Sequence, residues 1–206
     1  MLIVGAGGHA KEVYEVLRLQ HPAAEIAFWD EDSSLPDTIL SCPLLRTDAE
    51  AAEWLVNHDL RYVLGTGGPR TRRLLAERMG KLGGLPIGCR ASSAILGSYG
   101  MDIGAGTDVM HRVVVTTHVS VGRGTLLNVG CTLSHEVRVG AFCEVGPGVL
   151  LTGGVQVGDE TLIGAGAIVL PGIHIGRRVT VGAGAVVTKP VHDGATVMGI
   201  PAGPKM

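Results

Sequence analysis

The sequence predicts a small α/β unit followed by a parallel β-helix. Three observations lead there. Before about residue 85, strand-like and helix-like segments alternate, as in a parallel sheet covered by helices. From Ile103 onward, every sixth residue is aliphatic. Aromatic residues make up only 3% of the chain while glycine and aliphatic residues abound, which fits repetition better than a mixed core.

Leu2–Val4 is a short apolar strand ending in GAGGH, and Lys11–Gln20 follows as a helix with Val13, Val16 and Leu17 at helical spacing. Ile26–Trp29 is a second strand, closed by the acidic turn Asp30-Glu31-Asp32. Ala49–Asn57 is a second helix, Arg61–Leu64 a third strand closing in GTGG, and Thr71–Leu82 a third helix. A turn such as GAGGH, between strand and helix, presents backbone N–H groups and a helix dipole to an anion. It is not a full G-x-G-x-x-G fingerprint, so it does not by itself point to a dinucleotide. A tight turn that needs glycine is the plain alternative.

The repeat runs from Ile103 through Val109 and Val115 in steps of six to Val187, fifteen positions that are all Ile, Leu or Val. Glycine often follows, as at Gly104, Gly122 and Gly140, and a small or aliphatic residue such as Thr107, Cys131 or Ala167 lies two positions before. Three hexads make one triangular coil with the aliphatic side chain inward, giving about five coils. The glycines are expected to permit unusual backbone geometry at the corners. No amphipathic α-helix yields a strict period of six. The division is therefore an α/β domain at 1–84, a β-helix at 85–190 and a tail at 191–206. The α/β domain is expected to cover one end, and the segment KPVHDGATVMGIPAG to leave the repeat and pack back along it.

Composition excludes several classes of function. Net charge is −2, so no nucleic-acid or anionic-membrane surface is indicated. Cys42, Cys89, Cys131 and Cys143 show no CxxC spacing, against a disulfide framework or a zinc site. The N-terminus lacks a signal-peptide pattern, and no apolar run reaches the length of a membrane span. The expectation is a soluble cytoplasmic protein.

Within the repeat, CTLSHEVRVG carries a His-Glu pair. With Leu133 inward, Ser134, His135 and Glu136 occupy the turn and the outer surface. An exposed imidazole can accept a proton near neutral pH, and a neighbouring carboxylate can orient it. On spacing alone, a solvated surface pair is the alternative. Periodicity does not choose between His135 and His111, His118, His174 or His192.

The whole chain resembles the bacterial sugar O/N-acyltransferases. It is most similar to acetyl-CoA-dependent N-acetyltransferases acting on nucleotide-linked 4-amino sugars of the bacillosamine and perosamine type, with sialic acid O-acetyltransferases as relatives. The segments that carry the likeness are VGAGGHAKEV, FWDED, LGTGGPR, LLNVGCTLSHEVRVGAFCEVG, VGDETLIGAGAIVLPG and VMGIPAG. The resemblance implies a Rossmann-like N-terminal domain, a left-handed β-helix and a homotrimer with sites between subunits. It implies acetyl-CoA as co-substrate, a nucleotide-linked amino sugar as acceptor, and no metal. By it, His135 is the general base and Glu136 its partner. Glu144 stands where some relatives have a second histidine near the thioester carbonyl, a poor stabiliser of an oxyanion, so a backbone N–H or water must serve. Gly153 matches a position whose backbone faces the acetyl group, and Ala165 and Ala183 match main-chain contacts to coenzyme A. Gly7, Gly8 and His9 match the nucleotide-sugar loop, Asp30 and Glu31 the turn that meets the nucleoside, and Gly65 and Arg70 a Gly-x-x-x-x-Arg feature. Asn128 and Lys11 are acceptor-side candidates.

The same base could deprotonate a hydroxyl, so O-acetylation of a sialic or related sugar is the second reading. A third is a non-catalytic β-helical structural protein. A zinc-dependent version of the fold, using His111, His118 and His135, fits the α/β prefix and the His-Glu pair poorly.

Overall fold

The computed structural model describes residues 1–204. Its first part is a six-stranded sheet with three helices. The elements are β1 (Leu2–Val4), α1 (Gly8–Gln20), β2 (Ala27–Trp29), β3 (Thr38–Ile39), β4 (Cys42–Leu45), α2 (Asp48–Asn57), β5 (Arg61–Leu64), α3 (Pro69–Lys81) and β6 (Leu85–Pro86). Spatial order is β3-β4-β2-β1-β5-β6, parallel except for the β3–β4 pair. The central strands β1 and β5 are almost wholly apolar and buried, as strands covered on both faces require. Thr47 and Glu50 form a capping box that starts α2.

Strand order reverses at β1, with β2 on one side and β5 on the other. Open parallel sheets bind ligands at such a reversal, outside the carboxyl ends of the strands. Both glycine-rich stretches, GAGGH after β1 and GTGG after β5, lie there.

The β3–β4 hairpin has no strong signal in the sequence. Its turn puts Leu40 and Ser41 at φ 50° and 64°, a conformation usually marked by Asn-Gly. Leu-Ser gives no such mark. The hairpin nonetheless extends the sheet, because Leu44 and Leu45 pair with Phe28 and Trp29.

The second part is a left-handed parallel β-helix with three faces. The first face carries Asp108–Val109, Leu126–Leu127, Glu144–Val145, Leu162–Ile163, Thr180–Val181 and Thr196–Met198. The second carries Ile95–Leu96, Val114–Val115, Thr132–Leu133, Leu150–Leu151, Ile168–Val169 and Val186–Val187. The third carries Asp102–Ile103, Ser120–Val121, Arg138–Val139, Gln156–Val157 and His174–Ile175. The second member of each pair in the repeat points inward, and the ladder Val115, Leu133, Leu151, Val169 and Val187 is at most 1% exposed. Successive coils are eighteen residues apart, with Thr132 opposite Leu150 and Leu133 opposite Leu151.

Three expectations need correction. The glycines that follow the inward residue are not the ones with unusual φ. A Cβ at Gly122 would collide with the backbone of Gly140 and Ala141 in the next coil, so close approach demands glycine there. The left-handed conformation falls two residues later, at positions such as Gly124, Gly154 and Gly172. There Glu136 (φ 62°), His118 (φ 53°), Phe142, Glu160 and Arg178 replace glycine, each at a cost of about 1 kcal/mol. The repeat also begins earlier than Ile103. Leu96 pairs with Val115, nineteen residues on, and this extra residue hides the first strand from a six-step count. Finally, the segment after Pro190 stays in the repeat. Val191 bridges to Ile175 and Val197 pairs with Val181, each sixteen residues apart, so two residues are missing at one corner. Among the described residues only Gly203–Pro204 folds back, antiparallel to this last strand.

The α/β unit docks on the first face and on the corner leading into it. Its pin is Arg72 on α3, which is fully buried. The guanidinium donates to the carbonyls of Leu64 (3.1 Å), Thr66 (2.7 Å) and Gly124 (2.8 Å) and pairs with Asp108 at 2.7 Å. Asp108, itself fully buried, also accepts from the Cys89 N–H at 3.0 Å. Met110 and Leu126 of the β-helix join the apolar cluster of Ile3, Val13 and Phe28.

Candidate active site

His135 lies on the corner between the second and third faces. Its column is set by the eighteen-residue coil: Thr117 lies one coil before and Gly153 one coil after. The side chain is 63% exposed, and Nδ1 stands 3.4 Å from Glu136 Oε2. The opposite edge of the ring, Cε1 and Nε2, lies over Gly153, where any Cβ would collide with it. Gly153 is therefore more than a corner glycine, because its missing side chain gives the imidazole its room. The Gly154 N–H donates to the His135 carbonyl at 2.9 Å and fixes the backbone under the ring. Glu136 takes the left-handed backbone that this corner position also has at His118, Phe142 and Glu160.

Burial pushes the Cys131 and Cys143 thiols up to about 12 and raises that of Cys89 as well, so these three do not compete as nucleophiles.

Ala165 and Ala183 lie exposed on the corner between the first and second faces. With Pro147 and the left-handed glycines Gly148, Gly166 and Gly184 they make a strip of small side chains over three coils. A long flexible ligand could lie against the main chain there. Asn128 occupies the same corner, with Oδ1 accepting from the Val129 N–H at 2.7 Å.

The N-terminal loops separate glycines by their reasons. Gly5 needs its φ of 109°, and Gly65 is packed so closely that a Cβ would sit 2.7 Å from Ile3 and 2.8 Å from Ala10. Gly7 has an ordinary φ of −75° as the α1 cap, and a Cβ on Gly7 or Gly8 would meet open space. Neither turn geometry nor packing asks for glycine at these two positions, which leave the backbone open to the surface. Asp30 accepts from the N–H groups of Ala6 (2.9 Å) and Asp32 (3.1 Å), tying the two loops together. Glu31 is held by both terminal nitrogens of Arg78, at 2.6 and 2.9 Å, and this pairing lowers its pKa. The Arg78 guanidinium also covers the Trp29 ring at 4.6 Å. His9 Nδ1 is 3.1 Å from Glu12, while Nε2 is buried without a hydrogen-bond partner. Lys11 and Arg70 are exposed.

Glu144 faces outward from the first face, away from the His135 corner. Its carboxylate accepts from the Gly68 N–H at 2.7 Å, joining the β-helix to the loop after β5.

Comparison with known proteins decides the family. Residues 1–79 match the PglD N-terminal domain, and residues 154–189 match the hexapeptide repeat of succinyl-transferase. PerB from Caulobacter crescentus, solved in complex with CoA and GDP-perosamine, is 32% identical over 100% of this chain and 96% of that one, with TM-score 0.92. The chain belongs to the hexapeptide-repeat sugar acetyltransferases. The acetyltransferase domain of PglB from Neisseria gonorrhoeae, solved with acetyl coenzyme A, is 30% identical over 99% and 98% of the two chains, with TM-score 0.91. WeeI from Acinetobacter baumannii matches at 25% identity over 99% and 98%, with TM-score 0.92. No curated protein sequence matches significantly. This acetyltransferase thus uses acetyl-CoA as co-substrate. Among its described residues no helix is long and apolar enough to cross a membrane, and no cluster of three or more His, Cys, Asp or Glu could hold a metal.

Sequence reasoning missed Arg72, Asp108 and Arg78. The trace was faint: on α3, Arg72 falls seven residues before Met79, on the buried side of the helix.

Proposed function

We propose that this acetyltransferase moves the acetyl group of acetyl-CoA to the amino group of a nucleotide-linked amino sugar, with His135 as general base. The observation that carries the reading is the His135–Glu136 corner. An exposed imidazole there has one nitrogen beside a carboxylate and its other edge over a glycine. The amine attacks the thioester carbonyl directly and gives its proton to Nε2; the C–S bond then breaks and coenzyme A leaves as its thiol with that proton, so no enzyme-bound acyl group is required. Glu136 orients the ring and stabilises the imidazolium that forms. Backbone N–H groups near Gly153 are the candidate donors to the oxyanion. The small-residue strip at Ala165 and Ala183 suits coenzyme A, and the open glycines Gly7 and Gly8 at the sheet reversal suit the sugar nucleotide.

The assembly we propose is a homotrimer, and the site needs it. The α/β unit sits on the first face, whereas His135 sits on the corner opposite that face of the triangular coil. The base of one subunit must therefore meet the nucleotide loops of another. The second face supports this, since its outward ladder of Ile95, Val114, Thr132, Leu150, Ile168 and Val186 is mostly apolar. The third face instead turns Asp102, Ser120, Arg138, Gln156 and His174 outward. Apolar outward ladders favour burial between copies.

The test is thiol release from acetyl-CoA with GDP-, UDP- and dTDP-linked amino sugars, and with sialic acid as the hydroxyl acceptor. Turnover with an amino sugar nucleotide and none with sialic acid is expected. Turnover with sialic acid alone would overturn the N-acetyl reading.

A further inference from the structure

A cavity of about 250 Å³ lies between the first turn of α3 and the late coils of the β-helix. Arg70 and Arg178 line it, with Leu162, Glu160 and Thr180. Arg178 has φ 53°, on a corner where the coils before and after this stretch use Gly106, Gly124 and Gly194. The two residues before it in this column, Phe142 and Glu160, use the same strained position for docking. Phe142 lies 5.5 Å beneath the Arg123 guanidinium and helps line the apolar seam against α3, and Glu160 pairs with Arg73 at 3.1 Å. Arg178 has no such use: among the described residues neither it nor Arg70 makes a side-chain hydrogen bond or ion pair. Glu160, the one carboxylate in the cavity, lies 3.1 Å from Arg73, which also pairs with Glu77 at 2.8 Å, so its charge is partly offset. The start of α3, with its partial positive charge, borders the same space.

We propose that Arg70 and Arg178 form a phosphate-binding subsite, with Arg178 as a ligand-contacting residue that the family likeness did not assign. Two planar guanidiniums from different elements can grip a phosphoryl group from two sides, and the helix end adds to the field. The phosphate comes either from the sugar nucleotide, which rests on the proposed function, or from a free phosphorylated small molecule. Both sources share the chemistry, and the experiment separates them.

The full-length protein is titrated with inorganic pyrophosphate by calorimetry, independent of any turnover. Arg178→Gly is the chosen variant because it removes the charge and relieves the backbone strain at once, so the fold should be at least as heat-stable as before. Wild-type binding that weakens tenfold or more in Arg178→Gly and in Arg70→Ala, and less in Arg178→Lys, supports the subsite. A parallel rise of tenfold in KM for the sugar nucleotide, with kcat and the KM for acetyl-CoA unchanged, assigns the site to the substrate. Lost pyrophosphate binding with an unchanged KM assigns it to a free anion. Pyrophosphate that binds wild type and Arg178→Gly alike, or binds neither, would overturn the proposal even if the acetyltransferase reading stands.

Discussion

Arg72→Ala should loosen the α/β unit from the β-helix. The side chain makes four contacts: two hold the α/β unit's own carbonyls of Leu64 and Thr66, and two cross the seam, to the Gly124 carbonyl at 2.8 Å and to Asp108 at 2.7 Å. Removing it leaves the Asp108 carboxylate at 0% exposure with only the Cys89 N–H as partner. Breaking a buried pair from one side costs about 3–5 kcal/mol. For a chain of this size each kcal/mol moves Tm by about 2–4 °C, so a drop of about 6–20 °C is expected in whichever unit unfolds first. Tryptophan fluorescence isolates that unit, because the chain's two tryptophans, Trp29 and Trp54, both lie in the α/β part. Far-UV circular dichroism follows both parts. The fluorescence transition should fall well below wild type while the β-helix signal persists. The double variant Arg72→Met with Asp108→Leu should recover much of the loss, since it leaves no lone buried charge. A fluorescence Tm for Arg72→Ala within about 2 °C of wild type would refute the reasoning, as would a double variant worse than the single.

His135→Ala should lower kcat by about a hundredfold or more with Tm unchanged, because the ring is exposed and its loss leaves no buried cavity; near-wild-type turnover would remove it from the mechanism. Glu144→Ala should raise the KM for the sugar nucleotide about tenfold and leave that for acetyl-CoA alone, since the carboxylate holds the Gly68 loop. Glu144→Gln keeps an acceptor and should do less, and an equal rise in both KM values would move Glu144 to the cofactor side. Val145→Asp should prevent the β-helix from forming, because the side chain is 0% exposed and an unpaired carboxylate there costs several kcal/mol; a soluble, folded variant would refute the inward phase of the repeat. The half-buried Asp59 is pushed down to about 2 by hydrogen bonds from Arg61. A depressed carboxylate stabilises the fold above its unfolded pKa of about 4 and loses this as pH falls through the folded value. At the surface that is worth about 1 kcal/mol at most. Asp59→Asn should therefore narrow the difference in urea midpoint between pH 5 and pH 2, read by tryptophan fluorescence.

The β-helix was legible in the sequence because its order is local and repeated. Each inward side chain is six residues from the next, and the coil that stacks Leu151 on Leu133 needs no distant partner to be foreseen. The early strands were legible for a similar reason, as with Leu2–Val4 and Arg61–Leu64, whose apolar runs end in glycine. Periodicity failed where a single insertion or deletion broke the count, before Ile103 and after Val187. The Leu40-Ser41 turn failed because its strained conformation is supported by the sheet it completes and not by turn-forming residues. The His135–Glu136 pair could be singled out in the sequence, but its geometry required the stacked coil that brings Gly153 beneath the ring. The face chosen by the α/β unit was not legible at all. Arg72 and Asp108 are thirty-six residues apart and Gly68 and Glu144 seventy-six. Such contacts leave no periodic trace, because their energy comes from burying specific charges and amides together after both parts have formed.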